Sequence, residues 1–99
     1  MFAPFKKKDK IAAKKIVVKS EVRKHISTEQ VKNFLDRHEN QDWGEVSDAD
    51  SKMNTFAVQN KQFVVSQYTI PTGILIIKTD GERTQTTVSI QLRQEQHYG

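Results

Sequence analysis

The residues best equipped for chemistry crowd between Phe34 and Asp50, where FLDRHENQDWGEVSDAD sets Arg37, His38, Asp42 and Trp43 among a row of acids. His38 and Asp42 stand four apart, so an imidazole and a carboxylate could share a metal. With no third histidine nearby and no cysteine in the chain, the ligand count of a metal site is not met. The structural alternative is that Trp43 anchors an inter-helix loop on the core while His38 caps a helix end, its ring meeting unpaired carbonyls. The acids fall at Asp36, Glu39, Asp42, Glu45 and Asp48, with Asp50 close behind. On a helix, three-residue spacing drifts slowly around the axis, giving a negative ridge able to engage the DNA-binding cleft of a host defence enzyme. A solvated helix face with capping acids is the plainer account.

A second polar group, Asp80, Glu82 and Arg83, precedes Thr84, Thr86 and Thr87. Carboxylates beside hydroxyls catalyse only where a general base is set against a nucleophile, and neither His25 nor His97 stands in a motif for it. Without a nucleophile, metal or phosphate-loop signature the chain reads as non-enzymatic, with no cofactor, no metal and no small-molecule substrate.

The third group is basic. Residues 1 to 24 hold nine lysines and arginines against two acids, a net +7, whereas the remaining 75 residues hold seven bases against ten acids, a net −3. Lys6, Lys7, Lys8, Lys10, Lys14 and Lys15 form an arm suited to phosphates, to an acidic protein face, or to the chain's own acids. Phe2 and Phe5 could instead anchor that arm in a protein groove. At 99 residues the chain is one domain. It has no apolar run of the roughly 20 residues that cross a bilayer and no secretory h-region, and its lack of cysteine fits a reducing compartment, so a cytoplasmic location without membrane contact is expected.

These groups need elements to position them. AKKIVVK, residues 13 to 19, reads as a strand, followed by a short helical turn after Ser20, with a helix carrying Ile11, Lys15, Val18 and Val22 roughly on one side as the alternative. Ser27 and Gln30 form a capping box for a helix with Val31, Phe34, Leu35 and His38 on one stripe, ending near Asn40. Ser47 and Asp50 open a second helix, expected to bury Ala49, Met53, Phe56 and Ala57 and to stop at Asn60. QFVVSQYTI, the turn at Pro71, Thr72 and Gly73, and ILIIKT make a hairpin whose second strand reads as central and well covered. After a further hairpin at Asp80 and Gly81, residues from Thr84 onward alternate as a strand with one wet face. The expectation is an α+β fold in two layers: two helices on one face of a three- to four-stranded, mostly antiparallel sheet, in the order β-α-α-β-β-β. Residues 1 to 12 read as a flexible basic arm, 13 to 93 as the domain, and 94 to 99 as a frayed tail.

FLDRHENQDWGEVSDADSKMN, with SQY at 66 to 68 and TDGERTQTT at 79 to 87, resembles a family of small uncharacterised proteins of bacterial plasmids and other mobile elements. That family's pattern is FL-x-RH-x-x-GDWG with a spaced Asp and Asn, then S-x-Y, an IITE-like strand, DR-S-x-TT and a carboxy-terminal LLPEEY. Phe34, Leu35, Arg37, His38, Asp42, Trp43, Gly44, Asp50, Asn54, Ser66, Tyr68, Thr79, Arg83, Thr86 and Thr87 fall on its positions, over about residues 16 to 91. The chain departs from it at Gln41, where the pattern has glycine, at Glu82, where it has aspartate, in lacking LLPEEY, and in carrying the basic arm. The resemblance implies a fold and a mobile-element setting and transfers no catalytic residue. What is expected is a non-enzymatic accessory protein of a plasmid or phage that acts by binding, to nucleic acid through the six lysines. The alternative is an inhibitor of a host defence nuclease, of anti-CRISPR or anti-restriction type. Arg37, His38, Asp42, Trp43, Glu45, Asp48 and Arg83 are the candidate protein contacts.

Overall fold

In the computed structural model, which describes residues 10–93, Ser27 opens the first helix as its sequence requires. The Ser27 hydroxyl accepts from the Gln30 N–H at 3.1 Å and the Gln30 side chain accepts from the Ser27 N–H at 2.9 Å, which satisfies two of the free donors at the start of α1, Thr28–Glu39. Ser47 does the same for the Asp50 N–H at the start of α2, Asp48–Gln59. Both helices end in the same way. Gln41 and Lys61 turn left-handed at φ 64° and 53°, and the Asp42 and Gln62 N–H groups reach back to the Arg37 and Ala57 carbonyls.

The strands are β1 Lys15–Val18, β2 Val64–Ile70, β3 Gly73–Thr79 and β4 Gln85–Leu92, with a 3-10 turn at Ser20–Lys24 after the first. They form one sheet in the order β1-β4-β3-β2. β2, β3 and β4 are an antiparallel meander, and β1 joins the far side of β4 in parallel, Ile16 opposite Thr86 and Val18 opposite Val88. The expected α+β fold and its element order are therefore present. The first strand's place, which its own residues leave open, is the edge beside the last strand.

Strand alternation decides the layers. Tyr68 and Ile70, Leu75 and Ile77, and Val88 point to α1 and are buried, where Val22, Ile26, Val31 and Leu35 meet them, while Val64 on the same face of β2 joins a second, smaller cluster. Each such aliphatic burial stabilises the fold by about 1.5–3 kcal/mol. The opposite residues of β3, Ile74 and Ile76, are only half-buried, so this central strand is covered on one face rather than two.

Two further expectations need correcting. On α2 the buried positions are Asn54 and Ala57, while Ala49, Met53 and Phe56 are exposed, because the helix lies along the β2 edge and turns a narrow side inward. Residues 10 to 12 do not belong to a flexible arm. Ile11 is buried with Trp43, Ala57 and Val64, and its N–H donates to the Glu39 carbonyl at 2.8 Å. Lys6, Lys7 and Lys8, and the tail 94 to 99, lie outside the described residues. No helix among the described residues is long and apolar enough to cross a membrane.

Candidate functional site

The stripe that seats α1 on the sheet carries His38 inward, away from the carbonyls at the helix end, so it does not cap the helix. Its ring is fully buried, with Nδ1 2.5 Å from the Ser66 hydroxyl and Nε2 2.8 Å from the Thr79 hydroxyl, which in turn lies 2.7 Å from that of Thr86. Rotating hydroxyls can match either neutral tautomer. Burial, with Arg83 contributing, lowers the imidazole pKa to about 4, so the ring is uncharged near neutrality. A histidine against a serine is the pairing of a base with a nucleophile, but neither side chain has exposed surface through which a substrate could arrive. The chain of four polar side chains instead occupies the interior as a satisfied network.

Trp43 packs edge-on against His38, with ring centroids 5.8 Å apart, and is itself buried, which is the anchoring role its position suggests. Arg37 Nε donates to Asp42 Oδ2 at 2.8 Å, and its guanidinium stands 4.6 Å from the Tyr68 ring centroid. The Tyr68 hydroxyl donates to the Asp42 carbonyl at 2.5 Å, and burial pushes its pKa up to about 12, which keeps that donor in place. Gly44 is required here. At φ +73° a Cβ would lie 2.1 Å from the Gln67 carbonyl oxygen and 2.5 Å from the Tyr68 ring. Of the expected partner contacts, His38 is fully buried, Trp43 is 6% exposed at the edge of a hollow, and Arg37 and Asp42 are exposed and bonded to each other.

The remaining candidates are divided in the same way. Arg83, held at φ 59°, donates to the Gln62 and Asp80 carbonyls at 2.8 and 2.7 Å and to that of Ala57 at 3.3 Å, which ties the second hairpin to the end of α2. These three bonds hold the half-buried side chain against the body of the protein. Glu45 Oε2 accepts from the Thr69 N–H at 3.1 Å. The Gln67 N–H donates to the Trp43 carbonyl and its carbonyl accepts from the Glu45 N–H, while Asn54 both donates to and accepts from the Val65 backbone. The outer edge of β2 is thus closed by side chains and loop. The acid row does not lie along one helix: Asp36 and Glu39 end α1, Asp42 and Glu45 sit in the loop, and Asp48 and Asp50 begin α2, where both are exposed, with Asp42 and Asp48 lining one hollow.

The basic residues are arranged differently. Lys10, Lys14 and Lys15 are exposed, as are Lys19, Arg23 and Lys24 beyond them, so that the row follows β1 and the 3-10 turn. Lys10 acts on Glu39, whose carboxyl is raised by burial and by Asp36 and pulled back by this lysine. Glu21 pairs with Lys24 at 3.4 Å and lies 3.5 Å from the His25 ring. β1 donates from Lys15 and Lys19 toward β4, which leaves the backbone of Ile16 and Val18 on the outer side of an edge that nothing among the described residues closes.

Among the described residues no three metal-ligating side chains converge. The sequence reading missed Asn54 as an edge cover and Ser66, Thr79 and Thr86 as partners of His38. Alternation was the available signal, since it puts all three hydroxyls on the buried faces of their strands. Most of the residues that carry the resemblance, from Arg37 through Asn54 to Arg83, belong to these internal contacts. No family model, curated protein or solved structure matches the chain.

Proposed function

We propose that the protein is a non-enzymatic accessory factor of a mobile element, acting in the cytoplasm by binding nucleic acid through the basic side chains of its amino-terminal segment. One observation carries the reading: Lys14, Lys15 and Lys19 stand exposed along a free sheet edge, and among the described residues no carboxylate pairs with them. Such a row is held by the fold at nearly fixed spacing, ready to exchange its counterions for phosphates. The burial of the His38 and Ser66 pair supports a binding role over a catalytic one. The mobile-element setting comes from the resemblance alone. Fluorescence anisotropy with labelled DNA and RNA tests the binding. Replacing Lys10, Lys14 and Lys15 by glutamate should weaken it by more than about tenfold and flatten its dependence on salt, each lost phosphate contact removing about 0.7–0.9 from the log–log slope. Affinity that survives the replacement removes the reading.

The exposed apolar side chains of α2 favour a second reading, inhibition of a host defence nuclease by protein contact. Met53 and Phe56 are 67% and 57% exposed, on the helix that begins with exposed Asp48 and Asp50. A complex with a restriction or CRISPR nuclease that dissociates when Met53 and Phe56 are replaced by serine, with nucleic-acid affinity unchanged, would select this reading. A complex indifferent to those changes excludes α2 as its contact.

A further inference from the structure

We infer that the open face of the sheet is a track for single-stranded nucleic acid, which rests on the nucleic-acid reading above and specifies the form of its ligand. The face opposite α1, which α2 borders along β2, has its own composition. The register lines up Val17, Thr87, Lys78 and Val65 in one row across all four strands, with Ser89, Ile76 and Gln67 in the next. By the same alternation Lys15 lies on this face, so the basic row of the edge continues onto it. The strands place no carboxylate there. Asp80, just past the end of β3, lines one hollow with Lys78, Gln85 and Thr87, its oxygens accepting from Thr84 and Gln85, while Glu45, which accepts from Thr69, and Asp50 on the α2 side border the face elsewhere.

At the β2 end Phe63 is 57% exposed, with the Lys78 ammonium 4.5 Å from its ring centroid. With the ammonium over one face of the ring, the other face is left for a base, and the cation is in reach of the adjoining phosphate. The centre of the track is aliphatic, Ile74, Ile76 and Val65 being half-buried, and it is flanked by amides and hydroxyls that can meet base edges. A duplex hides its bases and offers phosphates, so it would use the lysines and leave this centre unmatched. A single strand, with its bases turned to the sheet, uses both. The arrangement also selects against a partner that is merely acidic, which has no use for Phe63.

The test measures anisotropy of the full chain with fluorescein-labelled oligothymidylate and oligouridylate of about 20 nucleotides and with a duplex of equal length, at low and physiological salt. The single strands should bind at least about tenfold more tightly than the duplex, and the two arms show whether DNA or RNA is preferred. Phe63→Ala should lower single-strand affinity about 5- to 100-fold with the duplex unchanged, Phe63→Tyr should restore it, and Lys78→Glu should weaken it. Phe63 is exposed enough that unchanged thermal unfolding can confirm these variants are folded. Equal affinity for strand and duplex, lost with Lys14→Glu and Lys15→Glu but indifferent to Phe63, overturns the track and leaves the basic-edge reading standing. Absence of binding to every probe overturns both.

Discussion

Gln41 and His38 are held at odds with their own preferences, and each can be tested alone. At φ 64° Gln41 closes the carboxyl end of α1 in a conformation that costs an L residue about 1 kcal/mol and glycine almost nothing. Gln41→Gly should therefore stabilise the protein by about 0.5–1 kcal/mol in urea unfolding; a loss of stability would mean that the Gln41 side chain contributes more than its backbone costs. Gly44→Ala should do the reverse and cost more than about 3 kcal/mol, since the added methyl meets a backbone carbonyl and a buried ring. His38 is buried uncharged with a pKa near 4, whereas in the unfolded chain it takes up a proton near pH 6.5. Acid therefore favours the unfolded chain. Stability should fall as pH drops through this window, by about 3 kcal/mol in all at pH 4. His38→Leu should be less stable at pH 7, because it leaves the Ser66 and Thr79 hydroxyls short of a partner, and should lose the part of the slope between pH 6.5 and 4 that the imidazole supplies. A variant with the full slope would place that titration elsewhere.

At the scale of elements, Asn54 is what lets α2 lie beside β2. Its amide imitates a neighbouring strand, donating to the Val65 carbonyl at 2.8 Å and accepting from its N–H at 3.1 Å. Asn54→Asp keeps the acceptor and loses the donor, setting a carboxylate against a carbonyl oxygen. It should cost about 1–3 kcal/mol at pH 7, and the penalty relative to the parent should shrink once the new carboxyl is protonated. A pH-independent penalty would show that the lost packing, not the lost donor, is responsible. This contact also explains which elements the sequence discloses. Ser27 with Gln30, Ser47 with Asp50, and Pro71 to Gly73 act on their immediate neighbours, so they mark element ends without reference to the rest of the chain. The side of α2 that faces inward depends on a strand edge some ten residues away. An amide satisfied by that edge outranks Met53 and Phe56, whose hydrophobicity pointed to the opposite choice. The candidate site was legible to the same extent. The polar cluster at Arg37, His38, Asp42 and Trp43 stands out by composition, but only the fold shows that its groups face one another.

For the whole molecule, folding and charge meet at one residue. Ile11 lies between Lys10 and Lys14, and its side chain completes the small cluster of Trp43, Ala57 and Val64 that locks the inter-helix loop onto the edge of the sheet. Removing residues 1 to 12 therefore empties a core position as it removes four lysines, and it should cost about 2–4 kcal/mol, with Ile11→Ala costing a comparable amount on its own. A binding defect in such a truncation cannot be read as electrostatic. Neutralising Lys10, Lys14 and Lys15 as glutamines separates the two effects, because all three side chains are exposed and surface changes of this kind usually fall within about 0.5 kcal/mol. The variant should unfold at the parent's urea midpoint while its nucleic-acid affinity loses up to about 2–3 units of salt slope, according to how many of the three reach phosphates. If stability falls while the slope stays, the lysines are part of the fold's own charge balance, and the row along β1 serves the body of the protein rather than a ligand.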